Sequence, residues 1–222
     1  AYSGCHWCAL PGREYTLNDC VKINLGAVFQ AAFEDLYAEP EEARSVARLW
    51  DLFEQHLWRA VDVIAEGLDF HVEHMHEVFP ELMLDLLCHG PIEKGIDASH
   101  GGVEHLNLCV DGAALATVAD SVAALEQRVE QERRLTWEEL KAILDSNWEG
   151  PEGERARLMM KSVRRFGSGG SRGDYWAERV EDAFTAAVKA RPTPNGHNMI
   201  PGLFSWALTI DLGRHLKATP NG

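Results

Sequence analysis

The sequence contains no run of lysine or arginine interleaved with aromatic residues, the pattern that tracks a phosphate backbone. With 35 acidic against 21 basic side chains and a formal charge of -14, a nucleic acid is excluded as a partner. No apolar stretch approaches the roughly 20 residues that span a bilayer. No basic region followed by an apolar stretch and a small-residue cleavage site opens the chain. These absences predict a soluble, cytoplasmic protein that engages neither nucleic acid nor membrane. Cysteine is scarce: five residues, an odd number, at Cys5, Cys8, Cys20, Cys88 and Cys109, do not make a disulfide framework in a chain of 222, so reduced thiols are expected. Internal repeats and low-complexity tracts are missing. So is an initiator methionine, and the last residues, Ala218-Thr219-Pro220-Asn221-Gly222, read as a turn leading into more structure; truncation at both ends is expected.

What is present is enough apolar material, 45% of residues, to bury a sizeable core. Residues 1–16 carry Gly4, Pro11 and Gly12 without a sustained period and read as loop. From Leu17 to Leu36, Val21, Leu25, Val28, Ala32 and Leu36 recur at helical spacing. A longer stripe, Val46, Leu49, Phe53, Leu57, Val61, Ile64 and Leu68, predicts a second helix beginning near Glu41 and closed by Pro80. Between Cys88 and Asp111 the glycines break any helix, while Val103 to Val110 suits one strand. Further helices are predicted over about 113–132, from the Thr136/Glu139 capping box to about Trp148, over 154–163 and over 174–190. Residues 192–202 read as loop before an apolar segment from Leu203 to Leu212.

Several short blocks carry chemistry. Gly4-Cys5-His6-Trp7-Cys8 is followed by Pro11-Gly12, then by Asp19 and Asn24. Ile92-Glu93-Lys94-Gly95-Ile96-Asp97 follows Cys88 and precedes Gly101-Gly102. Asp120-Ser121-Val122-Ala123-Ala124, Asn147-Trp148-Glu149-Gly150, Arg165-Phe166-Gly167 and the terminal Ala218-Thr219-Pro220-Asn221-Gly222 complete the set. In this order they resemble the glycyl radical enzymes, the pyruvate formate-lyase-like family, which shows G-C-V-E-P, C-I-E-K-G-x-D with G-G, D-S-L-A-A, N-F-x-G, K-Y-G and A-T-P-D-G. The resemblance runs the length of the chain.

That resemblance implies an α/β fold, this portion being a predominantly helical piece of a ten-stranded barrel in a single pyruvate formate-lyase-like domain, with residues 1–16 as the cysteine loop. It implies a radical stored on a glycine in an R-V-x-G-Y motif, absent here, and installed by an activating enzyme that uses S-adenosylmethionine and an iron-sulfur cluster. The radical passes to a cysteine, whose thiyl form takes hydrogen from a small-molecule substrate. These 222 residues alone are then expected to be inactive, and the full-length enzyme to form a homodimer.

Two cysteines compete for the thiyl role. Aligning Gly4-Cys5 on the motif preserves the distances to Pro11-Gly12, Asp19 and Asn24, and so favours Cys5; aligning Cys8 preserves Pro11 as its proline. With Cys5 as the radical site, the position two residues on, a glutamate in the dehydratases, is Trp7. Indole cannot transfer the proton that the carboxylate handles. His6 titrates near neutrality and can substitute, while Trp7 and Cys8 shape the substrate pocket. The function implied is a lyase or decarboxylase acting on a small organic acid or alcohol; a bond-forming synthase or an acyltransferase is the alternative within the family. Outside it stands a helical interaction or zinc-binding module, since Cys5-x-x-Cys8 is half of a zinc motif. A second such pair is missing, and His71, His74 and His76 share a helix at offsets that place only two on one face. The glycines of 167–173 lack the Lys-Ser/Thr ending of a phosphate loop and read as a turn between helices. Glu93 and Lys94 suit either catalysis or a pair inside a turn.

Overall fold

The structure, a computed structural model, describes the backbone of residues 2–3, 7–204 and 209–222 and the side chains of residues 9–17, 21–204 and 210–222. Two short strands open it. β1 (Tyr2–Ser3) and β2 (Trp7–Cys8) pair antiparallel, with Tyr2 opposite Cys8 and Ser3 opposite Trp7. β3 (Glu14–Asn24) follows, so residues 1–16 hold strand where loop was expected. β3 also displaces the first turns of the helix expected from Leu17. Leu17 and Ile23 are buried at positions of one parity, with Lys22 between, the period of a strand. The step of four from Val21 to Leu25 had joined strand to helix. The helix α1 (Leu25–Ala38) starts where Asn24 caps it, its Oδ1 accepting from the amides of Gly26 at 3.1 Å and Ala27 at 3.3 Å.

A three-stranded sheet has the order β3, β4 (His105–Ala113), β5 (Met199–Leu203). Leu108 donates its amide to the Asn198 carbonyl and Phe204 donates to that of Gly112, so β4 and β5 advance together and run parallel. His105 donates to the Arg13 carbonyl, joining the starts of β3 and β4. The strand expected over 103–110 is thus present and extends to Ala113. Leu108 to Ala113 are all buried, as in a strand covered on both faces. β5 lies where loop was expected. Pro201 and Gly202 disguise it in the sequence, and its edge position is where a residue without an amide hydrogen is tolerated.

The remaining chain is mainly helical. A 3₁₀ turn, Glu41–Ala43, precedes α2 (Val46–Val78), which buries the expected stripe through Leu68 except for Ile64, left half-buried, and stops before Pro80. Two single turns follow, α3 (Leu82–Asp85) and α4 (Pro91–Lys94). The helix expected over 113–132 is α5 (Leu115–Ala124) continued by a π-helical stretch, Leu125–Gln131. The widened turns leave Glu126 chelating Arg172 through two bonds of 2.6 Å and accepting from Trp176 Nε1 at 3.2 Å. The capping box stands as read: Thr136 Oγ1 accepts from the Glu139 amide at 3.2 Å and Glu139 Oε2 from the Thr136 amide at 2.8 Å, opening α6 (Trp137–Asp145). α7 (Gly150–Lys161) has Pro151 in its first turn, α8 (Arg172–Lys189) matches the helix expected over 174–190, and α9 (Thr209–Arg214) overlaps the end of the apolar segment expected over 203–212.

The chain divides into two compact units. The first, residues 1–23, 59–111 and 185–202, buries Val61, Leu68, Val72, Ala98, Val103 and Leu108. The second, residues 24–58, 112–184 and 203–222, is centred on Phe33, Leu49, Phe53, Leu125, Leu140 and Phe184. No helix among the described residues is long and apolar enough to cross a membrane.

Candidate functional site

Of the four residues expected at the site, Cys5 and His6 lie outside the described residues. Trp7 and Cys8 are placed as backbone in β2, their side chains lying outside the described set. The frame around them is well tied. After β2 the chain turns at Pro11-Gly12, where Arg13 and Glu14 both donate amides to the Leu10 carbonyl, at 3.0 and 3.1 Å. Glu14 Oε2 accepts from the Leu10 amide at 2.9 Å. Gly12 then accepts from the His89 amide at 2.7 Å, Arg13 Nε meets Glu104 Oε2 at 2.6 Å, and the Tyr15 hydroxyl donates to Glu81 Oε1 at 2.8 Å. The segment following the cysteine loop is therefore clamped along residues 81–105, which hold the second motif block.

Within that block each polar side chain has a local task. Glu93 Oε2 accepts from the Gly90 amide at 2.9 Å while Lys94 donates its amide to the Gly90 carbonyl at 2.9 Å, the first helical bond of α4. Amide hydrogen bonds, its own and that of Gly90, hold the Glu93 carboxyl below the usual range. Lys94 Nζ donates to the Val103 carbonyl at 3.0 Å. Both residues thus serve the turn. Cys88, at its head, has its thiol pushed up by burial and then by Asp85, which keeps the sulfur protonated.

Asp97 is the hub. Its Oδ1 accepts from the Ser99 amide at 2.8 Å and hydroxyl at 2.5 Å, and Oδ2 accepts from the Glu81 amide at 2.7 Å. Burial raises its pKa, but these donors outweigh burial and hold it below the ordinary value of an aspartate. A carboxylate of depressed pKa stabilises the fold fully above its unfolded value, and the contribution disappears as pH falls through the folded value. Asp97→Asn is expected to cost about 1–2 kcal/mol at neutral pH. It should also flatten the loss of stability seen in urea melts on acidification from about pH 5 to about pH 2. An unchanged acid slope would remove Asp97 from this role.

Three other blocks, separate in sequence, meet in the second unit. Asp120 Oδ1 accepts from the Phe166 amide at 2.8 Å, its Oδ2 lies 3.5 Å from Arg165 Nη1, and Arg165 Nη2 donates to the Asn221 carbonyl. Burial pushes the Asp120 carboxyl up against the opposing Phe166 amide and Arg165. This junction escaped sequence reasoning. The blocks were visible as motifs, yet nothing in their spacing joined position 120 to 165 and 221. The glycine loop is the turn expected: the carboxylate of Asp174 accepts from the amides of Gly167 at 2.7 Å and Ser171 at 2.8 Å, so the loop closes on an anion of its own helix. Those amides hold Asp174 below its ordinary pKa.

The histidines of α2 part company. His71 Nε2 is 3.2 Å from Met75 Sδ, His74 lies tilted against Phe70 at 4.5 Å, and His76 tilted against His100 at 4.0 Å between centroids. A cavity of about 450 Å³ in the second unit is bounded by Asn24, Gly112, Thr117, Phe166 and Leu203 among others; its described lining offers no thiol, acid or base.

The Pyruvate formate lyase-like family matches residues 1–213. The chain is 24% identical over 184 residues to the trans-4-hydroxy-L-proline dehydratase of Clostridioides difficile, covering 83% of this chain and 23% of that one. It is 29% identical over 151 residues to the isethionate sulfite-lyase of Oleidesulfovibrio alaskensis, covering 67% and 16%. Among solved structures, an enzyme of 1,2-propanediol dehydration from Roseburia inulinivorans superposes with TM-score 0.84 at 22% identity, over 96% of this chain and 29% of that one. A glycyl radical enzyme from Archaeoglobus fulgidus superposes with TM-score 0.82 at 18% identity, over 95% and 28%. The chain therefore spans 16–29% of the length of these relatives, and its mixed α/β, mostly helical architecture is part of theirs. With the family matched from residue 1 to 213, the chain belongs to the pyruvate formate lyase-like glycyl radical enzymes.

Proposed function

We propose that this chain carries the cysteine loop of a glycyl radical lyase or decarboxylase and forms part of one pyruvate formate-lyase-like domain in a longer protein. Cys5 is its hydrogen-abstracting residue, and the substrate is a small organic acid or alcohol that loses a C-C or C-X bond. The family match over residues 1–213 carries the reading. The spacing from Gly4-Cys5 to Pro11-Gly12, Asp19 and Asn24, which matches the family's cysteine motif, supports Cys5. A glycyl radical elsewhere in the longer protein, installed by a separate activating enzyme with S-adenosylmethionine and an iron-sulfur cluster, supplies the one-electron oxidation.

The chain's own residues do the rest. The Cys5 S-H bond breaks and its hydrogen atom moves to the glycine. The thiyl sulfur then takes a hydrogen atom from a substrate carbon, restoring S-H, and returns it to the product radical. The clamp from Gly12 to His89 and from Tyr15 to Glu81 fixes the segment beyond the loop, which limits the wandering of one sulfur that must serve two partners. Trp7, standing at the glutamate position, walls the pocket and excludes water. His6 is the candidate for proton transfer. Relatives named for dehydration and for sulfite release support C-X cleavage as the reaction class.

The reading is tested by anaerobic incubation with an activating enzyme and electron paramagnetic resonance. These 222 residues alone are expected to give no glycyl doublet and no turnover, whereas the longer protein gives both. A doublet arising from the 222 residues, or turnover by the longer protein without activation, would overturn it.

A further inference from the structure

Glu14 opens β3 directly after the turn that leads out of the cysteine loop, and its carboxylate is engaged through both oxygens. Oε2 accepts from the Leu10 amide at 2.9 Å; Oε1 accepts from the Thr16 hydroxyl at 3.2 Å and from Asn107 Nδ2. Glu14 and Thr16 stand two apart on one face of β3, where Asn107 of β4, the central strand of the sheet, meets the carboxylate. An ionised carboxylate has only acceptor sites. Bonds donated to it are charge-assisted, shorter and about twice as strong as those between neutral groups.

What this carboxylate holds is Leu10. The Leu10 carbonyl accepts the amides of Arg13 at 3.0 Å and Glu14 at 3.1 Å, and the Leu10 amide goes to the Glu14 side chain, so the peptide planes on both sides of the Leu10 Cα are tied. With the carbonyl alone anchored, the segment could pivot about the two soft dihedrals of that residue; the second bond removes this freedom. Only Ala9 separates Leu10 from Cys8 in β2. β2 in turn pairs with β1, Tyr2 opposite Cys8 and Ser3 opposite Trp7, and Cys5 stands between these two strands in sequence. The hold therefore runs from Asn107 through Glu14 and Leu10 to the paired strands that flank Cys5. Because both Glu14 oxygens are committed to the protein's own donors, the part this residue plays is geometric.

We propose that Glu14 is the positioning residue of the cysteine loop, holding its sulfur in place relative to the radical glycine by way of Leu10; this rests on the function proposed above. The measurement needs no substrate. In deuterium oxide the reacting thiol carries deuterium. The glycyl radical takes that deuterium atom, a C-D bond forming as S-D breaks, and the thiyl radical then takes back the protium atom, forming S-H. The glycyl centre is left with deuterium, so its electron paramagnetic resonance doublet collapses at the rate of exchange. In the activated longer protein, Glu14→Ala is expected to slow the collapse about 10²-fold, the effect of roughly 1 Å of misplacement, with the radical yield unchanged. Glu14→Gln, which keeps one oxygen to accept from Leu10 or Asn107, should be intermediate. A role in stability alone would lower the yield and leave the rate per radical as it was. Collapse at the parent rate in Glu14→Ala overturns the proposal. Should that variant fail to fold, Asn107→Ala, which removes a donor from the other side of the carboxylate, decides: slower collapse supports the proposal and the parent rate overturns it. Failure of the Cys5 reading shows separately, as collapse at the parent rate in Cys5→Ser, while Glu14 is still judged by its own variants.

Discussion

Cys5→Ser, made in the longer protein, is expected to abolish turnover while the glycyl radical still forms on activation. Serine keeps nearly the volume of cysteine and can hold the same loop, but a hydroxyl hydrogen is bound far more strongly than a thiol hydrogen. The glycine therefore cannot hand its radical on. A loss of at least about 10³-fold, or about 4 kcal/mol at the transition state, is the expected scale. Substrate affinity should change little, because the reacting hydrogen atom contributes almost nothing to ground-state binding. Cys8→Ser should retain measurable activity, since its role is to shape the pocket. The two substitutions together distinguish the alignments. If Cys8→Ser loses turnover and Cys5→Ser keeps it, the motif is shifted by three residues and Leu10 takes the glutamate position. Trp7 would then lose its place as the pocket wall, and the case for His6 would fall as well.

How much of this was legible in the sequence depends on the range over which each signal acts. α2, α8 and the Thr136/Glu139 capping box were readable because a long amphipathic period or a three-residue side-chain exchange is local. β3 was not. Leu17, Val21 and Ile23 fit a strand, while Val21, Leu25 and Val28 fit a helix, and the two patterns share a residue. Only the cap at Asn24, which the sequence also contains, separates them. β5 hid behind Pro201 and Gly202 because its edge position, which tolerates them, is a property of the sheet. The π-helical stretch at Leu125–Gln131 has no period of its own, and what it achieves, Glu126 on Arg172 and Trp176, is settled by residues about 50 positions away. At the site the asymmetry is sharper. The cysteine loop was found through its resemblance to a family, since one thiol among five carries no intrinsic mark of radical chemistry. The clamp that fixes the segment after it, Gly12 to His89 and Tyr15 to Glu81, joins positions whose pairing no local rule anticipates.

Gly102→Ala is expected to be a strongly damaging single-methyl change in the second motif block, and Gly95→Ala a mild one. The block packs backbone on backbone. A Cβ at Gly102 would lie 2.0 Å from the Ile96 carbonyl oxygen and 2.9 Å from that of Asp97. Neither oxygen can swing aside as the end of a side chain could, because Asp97 is held through Ser99 and Glu81, and its carbonyl accepts the amides of His100 and Gly102, each at 2.9 Å. The strand-ward end of the loop must therefore move away from α4, and Lys94 must release the Val103 carbonyl. Loss of those bonds, with a backbone clash that cannot relax locally, places the cost at about 4 kcal/mol. Gly95 answers a different demand. It sits at φ 65° as the residue after α4, with open space where a methyl would stand, so alanine there pays only the left-handed backbone penalty of about 1–2 kcal/mol. Urea denaturation of the two variants beside the parent chain measures both. A Gly102→Ala protein no less stable than Gly95→Ala would show that the loop has room to shift. The tight seat of Gly102 against the Ile96 and Asp97 carbonyls would then be looser than the backbone spacing requires.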